Sequence, residues 1–201
     1  MPAATGKITR FHIDIEERRI FRLIGYKKRN VNIDESIKEL MRDEKRKLYR
    51  LIQPSSIYRI LDYEETNRHP IFEKARKVAL CICTIGLQLE EEVARLMEHN
   101  ELVRALILDA FGSEAVEEVA IQSDRFLAKK ARVIDLWPSK RFSPGYGIWD
   151  IKEQRFVFHI LPAREIGVRL KPESYMMIPR KSVSFRINFY EDPNLSKRKN
   201  L

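Results

Sequence analysis

The segment Arg-Phe-Ser-Pro-Gly-Tyr-Gly, residues 141–147, gathers three kinds of chemistry in one short stretch. Arg141 is a fixed cation whose fork can hold a carboxylate by two parallel hydrogen bonds. Pro144 and Gly145 are a turn pair, which leaves backbone groups free to contact a ligand. Tyr146 adds an aromatic face directly afterwards. Together they suit an amino-acid or nucleoside ligand, and an ordinary Pro-Gly turn beside a surface arginine has the same spelling. A second signal lies in LILDAFGSEAVEEVA, residues 106–120. Asp109, Ser113 and Glu117 fall at i, i+4 and i+8, one polar line on a helix otherwise lined with small and apolar residues. Gly112 thins the helix at that place and allows close packing. The line is either a solvent-facing stripe or a row of carboxylates set for a cationic ligand group.

Other chemistries are missing from the sequence. It contains no G-x-x-x-x-G-K-[ST] phosphate loop, no G-x-G-x-x-G, no G-x-S-x-G elbow and no H-E-x-x-H zinc helix. His12, His69, His99 and His159 are scattered, and His159, after Phe156 and Phe158, reads as a satisfied structural histidine. Cys81 and Cys83 read as buried and inert, on one face of a strand. Two cysteines argue against a disulfide scaffold or a four-ligand zinc site.

Hydrophobic periodicity predicts the elements that must hold these residues. Strands are expected over Lys7–Ile15, Ser56–Tyr63, Arg76–Ile85, Arg132–Leu136 and Ser182–Tyr190. The nearly continuous apolar run from Val78 to Ile85 marks a central strand covered on both faces. Helices are expected from Glu16 to Gly25, from an Asp34 cap to Pro54, over Leu89–Met97, from Glu101 to Ala131, and over Gln154–Leu161. Strands and helices mix without a βαβ rhythm, so the fold class is α+β.

The chain of 201 residues carries 38 basic and 29 acidic side chains, a net charge of +9. By blocks of about fifty the balance runs +6, −2, −1 and +6, so the excess sits at the two ends. Part of it is the tail Ser196–Leu201, read as solvated and frayed, and part is Lys27, Lys28 and Arg29. Charge alone permits a nucleic-acid partner, but no basic strand interleaved with aromatics and no recognition helix supports one. No apolar run is long enough to span a membrane, and MPAATGKITR has no secretory core, so a soluble cytoplasmic protein is expected.

Several segments, taken in order, resemble the activation domain of cobalamin-dependent methionine synthase, in its stand-alone bacterial form. Residues 141–147 resemble its Arg-x-x-x-Gly-Tyr signature. EIGVRLKPESYMMIPRKSVS, residues 165–184, is similar to its Gly-x-x-Leu, Glu-Ser-x-x-Met and Pro-x-x-Ser-Val-Ser pattern, with Pro172 as a one-residue insertion. CTIGLQLEEEV, ILDAFGSEAVEEVA and RIFRLIGYKK resemble the matching strand–helix, long-helix and N-terminal segments.

The resemblance implies a single C-shaped α+β domain, residues 1–195, with a twisted antiparallel sheet and flanking helices, followed by a basic disordered tail at 196–201. It implies a reactivation module that binds S-adenosylmethionine and supports reductive methylation of the cobalamin of a methionine synthase or related corrinoid methyltransferase. Such a module acts in trans as a component of methionine biosynthesis rather than as a self-contained enzyme. Cobalamin would be carried by the corrinoid-binding partner, and flavodoxin or another donor would supply the electron. The D-x-H-x-x-G motif is absent, as expected if cobalamin sits on a separate protein. Carried over by position, Arg141 would grip the ligand carboxylate, Pro144 and Gly145 would touch it through the backbone, and Tyr146 would pack on it. Glu117 would be the acidic contact, with Ser113 one turn earlier, and Asp14 would match an N-terminal acidic ligand. A sulfonium cation favours carboxylates and aromatic faces. No catalytic residue and no metal ligand is implied.

Three departures from the family pattern stand out, and the first and last of them favour an alternative, a corrinoid-protein docking adapter of the same fold without methyl-donor binding. The family's late tyrosine pair has no counterpart, Phe185 follows Ser182-Val183-Ser184 where glycine is common, and Arg19 stands where stand-alone members often carry an acid.

Overall fold

Residues 5–25, 34–66 and 69–196 are described by the computed structural model. Lys27, Lys28, Arg29 and the tail beyond Ser196 lie outside the described residues. Strands β1 (Gly6–Ile8), β2 (Ser55–Asp62), β3 (Lys77–Thr84), β4 (Trp137–Pro138) and β7 (Ser182–Tyr190) form one antiparallel sheet in the order β1-β2-β3-β7-β4. A separate hairpin pairs β5 (Arg169–Leu170) with β6 (Met177–Ile178). The helices are α1 (Glu17–Leu23), α2 (Glu35–Leu51), α3 (Gln88–Glu98), α4 (Leu102–Val133), α5 (Gln154–Ile160) and α6 (Pro193–Ser196). The class is α+β, as the sequence pattern predicts.

The apolar run in β3 has two destinations. Ala79, Cys81 and Cys83 point into a core built with α2, α3 and α4. Val78, Leu80 and Ile82 point the other way, into a core with Phe72, Trp149, Val157 and Leu161. Burial on both faces is why this strand never alternates. The two cysteine sulfurs lie 3.8 Å apart, and burial pushes the Cys81 thiol well above its ordinary range. A thiol so shifted is no nucleophile.

Asp34 caps α2 by accepting the Ser36 amide at 2.8 Å. Two expected strands are shorter or absent. Of Lys7–Ile15, only Lys7 and Ile8 pair with β2, together with Gly6 before them. Beyond it the chain leaves the sheet, and a side chain takes over the pairing. Gln122 of α4 donates to the His12 carbonyl at 2.5 Å and accepts the His12 amide at 3.2 Å. The expected strand Arg132–Leu136 is instead the end of α4. Asp135 takes a left-handed φ of 57°, and the Leu136 amide reaches back to the Ala131 carbonyl at 3.0 Å. With the Asp135 amide on Arg132, this is a Schellman cap with aspartate at the position glycine usually fills. The β-branched Val133 and Ile134 mimic a strand locally, but the cap decides.

Ser196, assigned to the tail from sequence, belongs to α6, is buried and donates to the Pro138 carbonyl at 2.6 Å. His159, expected to be a satisfied structural histidine, is exposed on α5. Among the described residues no helix is long and apolar enough to cross a membrane.

Candidate functional site

Asp109, Ser113 and Glu117 lie along α4 as their spacing predicts, but cations from two other segments cover the line. Lys181, immediately before β7, sets its ammonium 2.8 Å from Asp109 and donates to the Ser113 hydroxyl at 2.8 Å. Ser113 in turn donates to the Asp109 carbonyl at 3.2 Å. One turn further on, Arg141 donates to Glu117 in a close ion pair. The line is therefore a ladder of internal pairs, not a bare solvent-facing stripe. Gly112 gives close approach to a neighbour within the fold: a Cβ there would stand 2.7 Å from Leu89 of α3.

The 141–149 loop is anchored on β7. Phe142 and Arg186 exchange backbone hydrogen bonds of 3.0 and 2.8 Å. The Arg186 guanidinium lies over the rings of Phe72, Phe142 and Trp149 at 5.7, 5.2 and 5.4 Å. Among the described residues it forms no ion pair with a carboxylate, and burial lowers its proton affinity. Three π faces, with the Asn188 Oδ1 that accepts from the guanidinium at 2.7 Å, take the place of an acid. Within the loop, Gly145 adopts φ +89° and donates its amide to the Trp149 carbonyl at 2.7 Å. Tyr146 donates its amide to Ser143 at 3.3 Å. These two amides, expected to be free for a ligand, close the turn instead. The Tyr146 side chain is 68% exposed and Ile148 90%.

Between this loop, α4, α5 and β7 lies a cleft of about 480 Å³. Arg141, Pro144, Tyr146 and Glu117 all line it, although Glu117 is remote in sequence from the loop. Its far wall is Ser182, Val183 and Ser184, with Met177 of β6 beside them. That wall is fixed by the Ser184 hydroxyl, which donates to Gln154 of α5 at 2.8 Å, and by Ser182, which donates to Thr84 at 3.0 Å.

Three of the residues singled out by sequence are not part of the lining. Gly145 serves the turn, and Ser113 is held by Lys181. Asp14 is exposed, 3.7 Å from Lys45 of α2 on the helical side of the sheet. Arg19 reaches Glu114 of α4 at 3.2 Å and so ties α1 down. Phe142, Gln154 and Met177 line the cleft without having been singled out. The alternation of Ser182 and Ser184 marks one polar face of β7, but spacing alone does not say that Arg141 lies opposite.

No family model matches the chain, and no curated protein matches it. Among solved structures it is similar to the crystal structure of the MetH reactivation domain bound to AdoHcy. The TM-score is 0.68 at 12% sequence identity, over 100% of this chain and 81% of that one. The chain has the fold of that reactivation domain.

Proposed function

We propose that the cleft binds S-adenosylmethionine and that the protein supports reductive methylation of a corrinoid cobalt carried by a partner protein, acting in trans on a cytoplasmic methionine synthase or related methyltransferase. The observation that carries this reading is the Arg141–Glu117 pair on the cleft wall. A free amino-acid group is itself a carboxylate and an ammonium held a short distance apart. It can replace the internal pair charge for charge, its carboxylate on Arg141 and its ammonium on Glu117. Phe142 and Tyr146 offer rings, and Met177 an adaptable apolar surface, to the remainder of such a ligand. The volume falls in the range of about 300–1,000 Å³ usual for small-molecule sites.

Bound there, S-adenosylmethionine would supply an electrophilic methyl group, while a separate donor, flavodoxin or a protein like it, would supply the electron. The chain's own residues then act by holding and orienting, with no general acid or base required. Isothermal titration with S-adenosylmethionine tests this directly. Saturable binding to one site is expected, and none at millimolar ligand would end the methyl-donor role.

A second reading, the docking adapter without a methyl donor, is favoured by the internal use of the loop amides and of Ser113. Capture of a corrinoid-binding methyltransferase, with and without S-adenosylmethionine, separates the two. Capture indifferent to the nucleoside, together with a flat titration, selects the adapter.

A further inference from the structure

We propose that the groove between the 3₁₀ turn Ala163–Ile166 and the β5–β6 hairpin is a docking surface for an acidic protein segment that carries a bulky apolar side chain. The groove encloses about 590 Å³ and is the larger neighbour of the cleft described above. Its floor is apolar: Phe158, Leu161, Ala163, Val168 and Ile178. Its rim is cationic, formed by Arg164, Arg169 and Lys171, all exposed. Among the described residues, none of the three is ion-paired with a carboxylate. Glu165, the acid next to Arg164, is drawn away to Lys7 at 2.5 Å. Arg180 extends the same charge across an adjoining hollow that shares Lys171 and Ile178. Glu90, the acid facing that hollow, accepts the Lys181 amide at 2.6 Å. Glu173 on the hairpin turn is the remaining acid of the hairpin and lines neither hollow.

Unanswered like charges around a low-dielectric floor focus a positive potential, and an apolar hollow at their centre rewards a side chain that fills it. A nucleic acid would need a long cationic track and open aromatic platforms. Here the floor is mainly aliphatic, and the hairpin's Tyr175 is already covered by Arg155 at 5.2 Å. The groove stands independently of any ligand in the cleft, yet β6 belongs to both. Met177 lines the cleft and Ile178 the groove, so a partner seated here stands directly beside the cleft.

The test is fluorescence anisotropy of the full chain with a labelled dodecapeptide alternating Glu and Phe. Controls are the Lys/Phe counterpart, an all-Glu peptide and a single-stranded DNA oligonucleotide. The Glu/Phe peptide should bind, and its affinity should fall as salt is raised, because exposed charges are screened within about 10 Å at 0.1 M. Arg169→Glu with Lys171→Glu should weaken binding about tenfold or more, Arg169→Gln with Lys171→Gln less, and circular dichroism confirms that each variant is folded. Equal binding of the Lys/Phe peptide, or an affinity unmoved by charge reversal, overturns the proposal. Equal binding of all-Glu peptide or DNA overturns it too, since the apolar floor would then recognise nothing.

Discussion

On the sheet face covered by α2, α3 and α4, a buried charge is answered by opposite charge, whereas across the sheet a half-buried one is answered by aromatic rings and a carboxamide. Glu44 of α2 is fully buried, yet Arg104 donates to it at 2.7 Å and Lys47 lies 3.4 Å away. Arg186, on the opposite face, rests on three rings with no carboxylate in an ion pair among the described residues. The helical side uses regular elements as long as α4. The other side uses 3₁₀ turns, the seven-residue α5, a hairpin of two-residue strands and a loop whose tip is exposed. One face is a scaffold whose interactions are spent on stability. The other keeps charges and apolar surface in reserve, which is where binding is expected to be found.

The largest effect that would break this contrast is in the scaffold. Phe185 is fully buried on β7, facing α4. Phe185→Ala should cost about 3–5 kcal/mol in urea denaturation. A loss under about 1 kcal/mol would mean that the helical face does not carry the fold. Next comes Arg141→Ala, which should weaken S-adenosylmethionine by one to two orders of magnitude in calorimetry, about 1.5–3 kcal/mol, with little change in melting temperature. An unchanged affinity would put the ligand carboxylate elsewhere.

A smaller effect concerns Glu92 of α3. Arg95 first, and then Lys47, holds its carboxylate at about 2, below the usual 4.5. A depressed carboxylate stabilises the fold above its unfolded value, so the contribution is complete above pH 4.5 and is lost as pH falls toward 2. Solvent screening limits it to about 1 kcal/mol. Glu92→Gln should flatten that part of the stability–pH curve, and an equally steep curve would assign it to other carboxylates. The smallest effect belongs to the loop tip. Tyr146→Ala and Ile148→Ser should each leave stability within about 0.5 kcal/mol. A larger drop would make the loop part of the scaffold after all.

Much of the scaffold was readable from the sequence because it follows from periodicity. The apolar run of β3, the Asp34 cap and the alternation of Ser182–Tyr190 each have a local cause that the chain spells out. The failures also have local causes. Val133 and Ile134 look like a strand, but a left-handed aspartate is a rare cap and its signal is weak. The β5–β6 hairpin is too short to show a period. Of the residues that type and resemblance single out, Arg141, Pro144, Tyr146 and Glu117 share a cleft. Lys181 was not found, because nothing in its neighbourhood in sequence connects it to Asp109 or Ser113. Pairings across so long a separation exist only once the sheet has formed.

Gln122 carries a consequence for how the protein opens. One carboxamide supplies both the donor and the acceptor that a neighbouring strand would have given His12. A strand ladder lets go only when several residues move together, but this clasp is released by the rotation of a single side chain. The His12 backbone therefore opens as a small event of its own, while the sheet stays intact and Ile15 stays packed in the core. In hydrogen exchange the His12 amide should turn over far sooner than those of β3, and Gln122→Ala should bring it close to the rate of an unprotected chain.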